Sequence, residues 1–303
     1  MTGVLGGRAA GGKERDVAAS VKRVGVVGGG TMGSGIAQVF AQSDHQVTLL
    51  EASPELLDRG LRAIRRNLDG LLERGKLGAT ERDQAWGRLT GTTRLEDVED
   101  ADLVIEAITE NQTLKNETFA KLDAICPPHT ILASNTSSCN ITAMAAATKR
   151  PRKVLGLHFF NPAPLMKLVE VVDTILTDQE TVLEARSWVQ AAGKLPVEAK
   201  DTTGFIVNRL LVPYLLEAIR LYESGVATKE DIDQAMKFGC GYPMGPFALL
   251  DMVGLDTTLY VAEVMFEEFR EARFAPPPLL KRMVAAGFLG RKSGRGFYDY
   301  AQK

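Results

Sequence analysis

The chain has 303 residues, 45% of them hydrophobic and 24% charged, with a formal net charge of −2. That length implies two domains, and the near-neutral charge excludes a general attraction to nucleic acid or a membrane surface, so an anionic ligand would need a local patch. Three cysteines, Cys126, Cys139 and Cys240, have no CxxC spacing and no histidine cluster beside them. They suit free thiols in a reducing compartment and argue against a disulfide framework or a zinc site.

Residues 1–20 are rich in Gly and Ala and lack the apolar core of a signal peptide, so they read as a disordered extension. A transit peptide is the alternative, with Glu14 and Asp16 counting against it. No run approaches the ~18 apolar residues of a membrane helix, and a cytoplasmic location is expected. "KRVGVVG" (22–28) predicts a strand, followed by a Gly-rich turn and the small and apolar helical stretch "TMGSGIAQVFAQ". "HQVTLLE" (45–51) is a second strand, and 54–76 and 80–88 are two polar helices, the first carrying Arg59, Arg62, Arg65, Arg66 and Arg74. Strands at 101–108 and 130–135 flank a helix at about 112–125, and a hairpin at 153–172, a helix at 178–192 and the strand "KLPVEA" complete the domain. Alternating strands and helices predict an α/β doubly wound parallel sheet over residues 21–204. From Ile206 to Val284 the period is helical, with breaks at "SGVAT", "GCGYPMGPF" and "FAPPP". An all-α domain is therefore expected over 205–303. Its first helix, "FIVNRLLVPYLLEAI", is apolar beyond the needs of one face, which predicts burial on most sides, between domains or between subunits.

"VGVVGGGTMGSG" contains G-x-G-x-x-G as Gly28, Gly30 and Gly33, placed after a strand and before a helix. Glu51 ends the next strand, about 20 residues on, as a dinucleotide site requires. Gly28 permits the tight turn, Gly30 lets the backbone approach a pyrophosphate, and Gly33 allows the helix to pack closely on the strand. Glu51 would accept hydrogen bonds from the adenosine ribose and repel a 2′-phosphate, which favours NAD over NADP. A tight turn without ligand, and a surface acid, are the plainer readings.

His158 ends the apolar run "VLGLHFF", and Glu170 lies within the next, "KLVEVV". Antiparallel pairing about Pro164 would place them opposite each other, ~5 Å apart at Cβ. A buried carboxylate needs compensation, and a histidine N–H would supply it. Such a pair fixes the imidazole tautomer and stabilises the protonated ring, as a general base requires. A core histidine beside a surface glutamate fits the spacing equally well. "SNTSS" (134–138) follows the strand "TILA" at the sheet edge where ligands bind, although turn formation is an equal account of it. Asn208 sits among apolar neighbours, where a buried amide needs partners.

"GGGTMGSGIAQ", "EAITEN", "ASNTSS", "GLHFFNPAPLMKLVEVV", "DTTGFIVNRLLVPYLLEAI", "GYPMGPFALLDMVGLDT" and "GRKSGRGFYDY" together resemble the short-chain L-3-hydroxyacyl-CoA dehydrogenases, and among them the bacterial 3-hydroxybutyryl-CoA dehydrogenases. The resemblance spans residues 21 to 301. It implies a Rossmann-like domain followed by a helical dimerising domain, NAD as cofactor, an acyl-CoA substrate and a homodimer. It also implies His158 as general base with Glu170 orienting it, and Ser137 and Asn208 holding the substrate oxygen and thioester. Gly28, Gly30, Thr31, Met32, Gly33 and Glu51 would hold the cofactor, with Glu110, Lys115, Asn135, Ser137 and Asn161 at its nicotinamide end. Lys292 matches a cofactor-contacting lysine. Asn67 and Arg74 fall where coenzyme A is bound, in the segment that departs most from the family pattern; its arginines could equally form a solvated helix face. A reductase of free β-hydroxy acids is the alternative enzyme, but such enzymes commonly place a lysine base where this chain has Asn208. A non-catalytic relative would have lost His158 or Glu170.

Overall fold

The structure, a computed structural model, describes residues 23–300, so the extension expected over 1–20 lies outside the described residues. The first domain is built on eight strands: β1 (Arg23–Val27), β2 (Gln46–Leu50), β3 (Leu89–Thr92), β4 (Leu103–Glu106), β5 (Ile131–Ser134), β6 (Val154–Phe159), β7 (Leu168–Asp173) and β8 (Leu195–Lys200). They form one sheet in the order β3-β2-β1-β4-β5-β6-β7-β8. Strands β1 to β6 run parallel, β7 is antiparallel to β6, and β8 follows β7 in parallel. The helices of this domain are α1 (Thr31–Gln42), α2 (Pro54–Glu73), α3 (Ala79–Gly87), α4 (Gln112–Ile125), α5 (Ile141–Ala146) and α6 (Gln179–Ala191).

Alternation along β1 decides the two layers, because successive side chains point to opposite faces. Val24 and Val26 join Leu49, Ile36, Phe40 and Ile64 in one buried cluster, whereas Val27 joins Val104, Phe119, Leu122, Leu132 and Met144 in the other. The strand expected over 101–108 ends at Glu106. The Glu106 carboxylate accepts the N–H of Ile108 at 2.7 Å and turns the chain out of the sheet. β3 was not foreseen: "LTGT" is short, half exposed and at the sheet edge, so it carries no apolar run.

The chain crosses to the second domain through Thr202–Phe205, where Gly204 and Phe205 both have positive φ (83° and 46°). Helices α7 (Val207–Glu223), α8 (Lys229–Gly239), α9 (Pro246–Val253), α10 (Leu255–Phe269) and α11 (Pro278–Ala285) surround a core of Leu215, Leu216, Ile219, Phe247, Leu250 and Met265. No helix of the described residues is long and apolar enough to cross a membrane. Among the described residues of one chain, α7 is buried along one face only. One stripe, from Val212 to Ile219, is in the core, but Leu210 is 72% exposed. The surplus apolar surface is not covered by the other described residues.

Candidate active site

The parallel run of β1, β4, β5 and β6 brings four loop starts to one edge of the sheet, beside the point where the strand order reverses between β1 and β4. Crevices at that place are where open α/β sheets take ligands. At the end of β1, Gly28 has φ 97°, and a Cβ there would lie 2.8 Å from the Ala107 carbonyl oxygen. A Cβ on Gly33 would lie 1.7 Å from the carbonyl oxygen of Gly28, so α1 can approach β1 this closely only without a side chain. On Gly30, by contrast, a Cβ would meet nothing within 4 Å. Gly30 is also the N-cap of α1 and has no side chain with which to cap the helix N–H groups. That combination of open approach and uncapped donors at a positive helix end fits a pyrophosphate. Thr31 is exposed and Met32 half-buried on the same turn. Glu51 closes the cradle: its carboxylate accepts the N–H of Gly29 at 2.6 Å and that of Ala52 at 2.9 Å. It is thereby fixed beside the turn, where the ribose of a dinucleotide would lie.

A chain of buried polar groups joins the ends of β4 and β5. Glu106, fully buried, accepts from the Lys115 ammonium (2.6 Å) and from the Ser134 hydroxyl (2.7 Å). Lys115, 1% exposed, reaches from α4 and also stands 3.4 Å from Glu110. Glu110 in turn accepts from the N–H (2.9 Å) and hydroxyl (3.1 Å) of Ser137 and from the Thr136 hydroxyl (2.7 Å). Burial alone would raise the Glu110 carboxyl, but Lys115 and the donors from Ser137, Thr136 and Cys139 outweigh it and hold it below the usual range. The Cys139 thiol, donating to the same carboxylate, is pushed up to about 11 by burial and by the Glu110 charge. Removing one partner of the Glu106–Lys115 pair would leave an uncompensated buried charge, at a cost of about 3–5 kcal/mol. Lys115 thus lies beneath the site, its ammonium turned to two carboxylates.

His158 and Glu170 are direct cross-strand partners in the β6–β7 ladder. Nδ1 of His158 lies 2.7 Å from Oε2 of Glu170, and both side chains are buried. An ionised carboxylate only accepts, so the proton is on Nδ1, and Nε2 is left with its lone pair. Phe160 and Phe205 flank the ring, with centroids 4.5 and 5.5 Å away. The second carboxylate oxygen, Oε1, accepts the N–H of Ile206 (3.0 Å) and of Val207 (2.9 Å), the first donors of α7. Three hydrogen bonds and a helix N-terminus therefore compensate a charge that an apolar strand would otherwise exclude. The same contacts seat the helical domain against the sheet and fix the first turn of α7, which carries Asn208. Asn208 is half-buried there, not buried as its neighbours suggested. Asn135, 9% exposed, accepts the N–H of Phe159 at 2.9 Å and so ties the "SNTSS" loop to the strand of His158.

The structure thus brings His158, Glu170, Asn135, Ser137, Glu110 and Lys115 together at one sheet edge, with Asn161 exposed just past β6 and Asn208 across the domain junction. A cleft of 610 Å³ between the domains adjoins Glu110, lined also by Ser138, Asn140, Thr202, Tyr260 and Glu263. Asn67 and Arg74 are exposed, on α2 and at its C-terminal cap. Of the other arginines there, Arg62 pairs with Asp58 and Arg65 with Asp69, and Arg59 and Arg66 are exposed like Arg74. Lys292 is half-exposed in the C-terminal segment, paired with Asp256 at the start of α10 at 2.6 Å. Reasoning from sequence passed over Glu106, although it stands in "EAITEN", because one acid in a strand gives no sign of a partner nine residues on.

A doubly wound sheet with a dinucleotide cradle, followed by a helical domain, defines a nicotinamide-dependent oxidoreductase. Residues 23–202 match the 3-hydroxyacyl-CoA dehydrogenase NAD binding domain, and residues 204–300 match the 3-hydroxyacyl-CoA dehydrogenase C-terminal domain. The chain is 51% identical to a 3-hydroxybutyryl-CoA dehydrogenase of Mycobacterium tuberculosis, over 93% of this chain and 99% of that protein. It is 48% identical to a probable 3-hydroxybutyryl-CoA dehydrogenase of Bacillus subtilis, with the same coverage of both. The crystal structure of (S)-3-hydroxybutyryl-CoA dehydrogenase PaaH1 from Ralstonia eutropha superposes with a TM-score of 0.89 at 43% identity, over 93% of this chain and 99% of that one. The chain belongs to the 3-hydroxyacyl-CoA dehydrogenase family, whose cofactor is NAD.

Proposed function

We propose that this enzyme interconverts (S)-3-hydroxyacyl-CoA and 3-oxoacyl-CoA, with 3-hydroxybutyryl-CoA and acetoacetyl-CoA as its substrate pair, and that His158 and Glu170 are the acid–base machinery. NAD, held at Gly28, Gly30, Thr31, Met32, Gly33 and Glu51, supplies the acceptor or donor of the hydride at C3. Nε2 of His158 takes the proton of the 3-hydroxyl in oxidation and returns it in reduction. Glu170 keeps the other ring nitrogen protonated and stabilises the imidazolium that forms. Ser137 exchanges its hydrogen bond with Glu110 for one to the substrate oxygen, and Asn208 meets that oxygen or the thioester from the helical domain. Glu110, Asn135 and Asn161 line the nicotinamide end with Lys115 beneath them holding Glu110, Lys292 contacts the cofactor, and Asn67 and Arg74 bind coenzyme A.

The observation that carries this reading is the 2.7 Å contact between His158 and a carboxylate saturated by α7. The test follows NADH consumption with acetoacetyl-CoA, free acetoacetate and, in place of NADH, NADPH. Turnover only with the thioester, and with NADH far ahead of NADPH, is expected; an enzyme that prefers free acetoacetate contradicts the substrate assignment. His158→Gln should bind NADH normally and lose about 10²–10⁴-fold in rate. Full activity in that variant removes His158 from its role.

The enzyme works as a homodimer in this reading. Leu210, Phe238, Tyr242, Met252 and Val253 are large apolar residues exposed on α7, on α9 and at the end of α8, and α9 packs against both other helices. A cytoplasmic setting agrees with three free cysteines.

A further inference from the structure

The loop from Asn161 to Lys167 joins the strand of His158 to the strand of Glu170, so its shape bears on the site at both ends. Of its own side chains only Ala163 is buried, in the core cluster on the α1 side of the sheet, whereas Asn161, Pro162, Leu165 and Met166 are all exposed, Leu165 by 68%. It is held from one side by a single cation. The ammonium of Lys194 donates to the carbonyl oxygens of Ala163 (2.7 Å), Pro164 (3.3 Å) and Met166 (2.8 Å). A lysine has three donors, and these three acceptors use all of them. Lys194 has no carboxylate partner among the described residues, and burial lowers its pKa. Its backbone is rooted at the end of α6, where its N–H donates to the Val189 carbonyl at 3.0 Å. The next residue ties the far end of the loop, since the Leu195 N–H donates to the Lys167 carbonyl at 2.7 Å.

On its other side the loop rests on α1, one turn beyond the dinucleotide cradle. A Cβ on Gly35 would lie 3.2 Å from both Ala163 Cβ and Pro164 Cδ. The loop is thus clamped between a lysine on the α6–β8 turn and the helix that receives the cofactor's phosphates. A half-buried ammonium whose three donors all go to carbonyl groups of one loop, with no carboxylate partner among the described residues, holds the shape of that loop and adds nothing to the core.

We propose that Lys194 is a positioning residue for cofactor binding, fastening the 161–166 loop so that Asn161 is presented to the nicotinamide end of NAD. The assignment rests on the dehydrogenase reading for the place of Asn161. Without the clamp the loop must be ordered when NADH binds, and that ordering is subtracted from affinity.

The decisive measurement is the Kd for NADH, by fluorescence titration, in Lys194→Met, Asn161→Ala and the double variant, with folding followed by circular dichroism. Lys194→Met should weaken NADH binding about tenfold, the effect of ~1.4 kcal/mol. Because the effect passes through Asn161, the double variant should bind no more weakly than Asn161→Ala alone. Lys194→Arg, which keeps the charge, should recover part of the loss. Wild-type affinity in Lys194→Met, or losses that add in the double variant, overturns the proposal. If Lys194→Met does not fold, Lys194→Gln carries the same comparison, since it keeps a donor without the charge. Absence of acetoacetyl-CoA turnover in the wild type, with coupled losses of NADH affinity intact, would strike the substrate reading and leave Lys194 in place.

Discussion

A methyl group on Gly33 would sit 1.7 Å from a backbone carbonyl oxygen that cannot rotate away, so Gly33→Ala must push α1 off β1 or flatten the turn at Gly28. NADH binding in that variant should fall below detection by titration, while α1, buried along its length, keeps the domain folded by circular dichroism. At the same scale, the pairing of His158 with Glu170 was legible because a strand has a fixed period and the partner's number follows from the centre of the turn. Lys194 gave no such signal. Its acceptors are backbone carbonyls, which every residue possesses, so no residue type at 163, 164 or 166 announces the contact.

Among the elements, the β4–β5 edge couples charge to loop shape. Glu110 gathers Thr136, Ser137 and Cys139, and its carboxyl titrates below its ordinary 4.5 in the folded protein. A depressed folded pKa contributes stability that is fully present above that ordinary value and lost as pH falls through the lower, folded one. The amide signals of Ser137 and Cys139 should therefore hold their positions at pH 5 and above and shift only below about 4.5, as an NMR titration would record. Movement already near pH 6 would contradict the arrangement. The elements themselves were largely readable: the Gly-rich turn, the helix at 112–125 and the three breaks of the helical domain all fall where the sequence places them. Three features were not, the short helix α5 among them. β3 is an edge strand stabilised by neighbours in place of its own pattern, and α9 and α10 are separated only by Gly254, whose φ of 103° ends one helix and begins the next.

At the level of the whole molecule, the helical domain leaves apolar side chains in water that its core does not need. Leu210 and Phe238, 72% and 79% exposed, are the largest contributors on α7 and α8. If two copies bury this face, Leu210→Glu with Phe238→Asp should convert a dimer to a monomer by light scattering, with NADH binding by the first domain retained. A wild-type monomer would contradict the homodimer. The apolar excess of α7 was visible in sequence, but its direction was not, because composition does not tell a core stripe from an outward one.

Glu170 holds the helical domain through the N–H groups of Ile206 and Val207, and a main-chain donor is indifferent to the side chain it carries. This contact between the halves of the enzyme is therefore silent to side-chain scanning, because alanine or charge substitutions at 206 and 207 leave both donors in place. Proline alone removes one. A substitution that keeps the main-chain N–H at 206 and 207 therefore leaves the second oxygen of Glu170 satisfied, and the imidazole on the other side of the carboxylate keeps its partner.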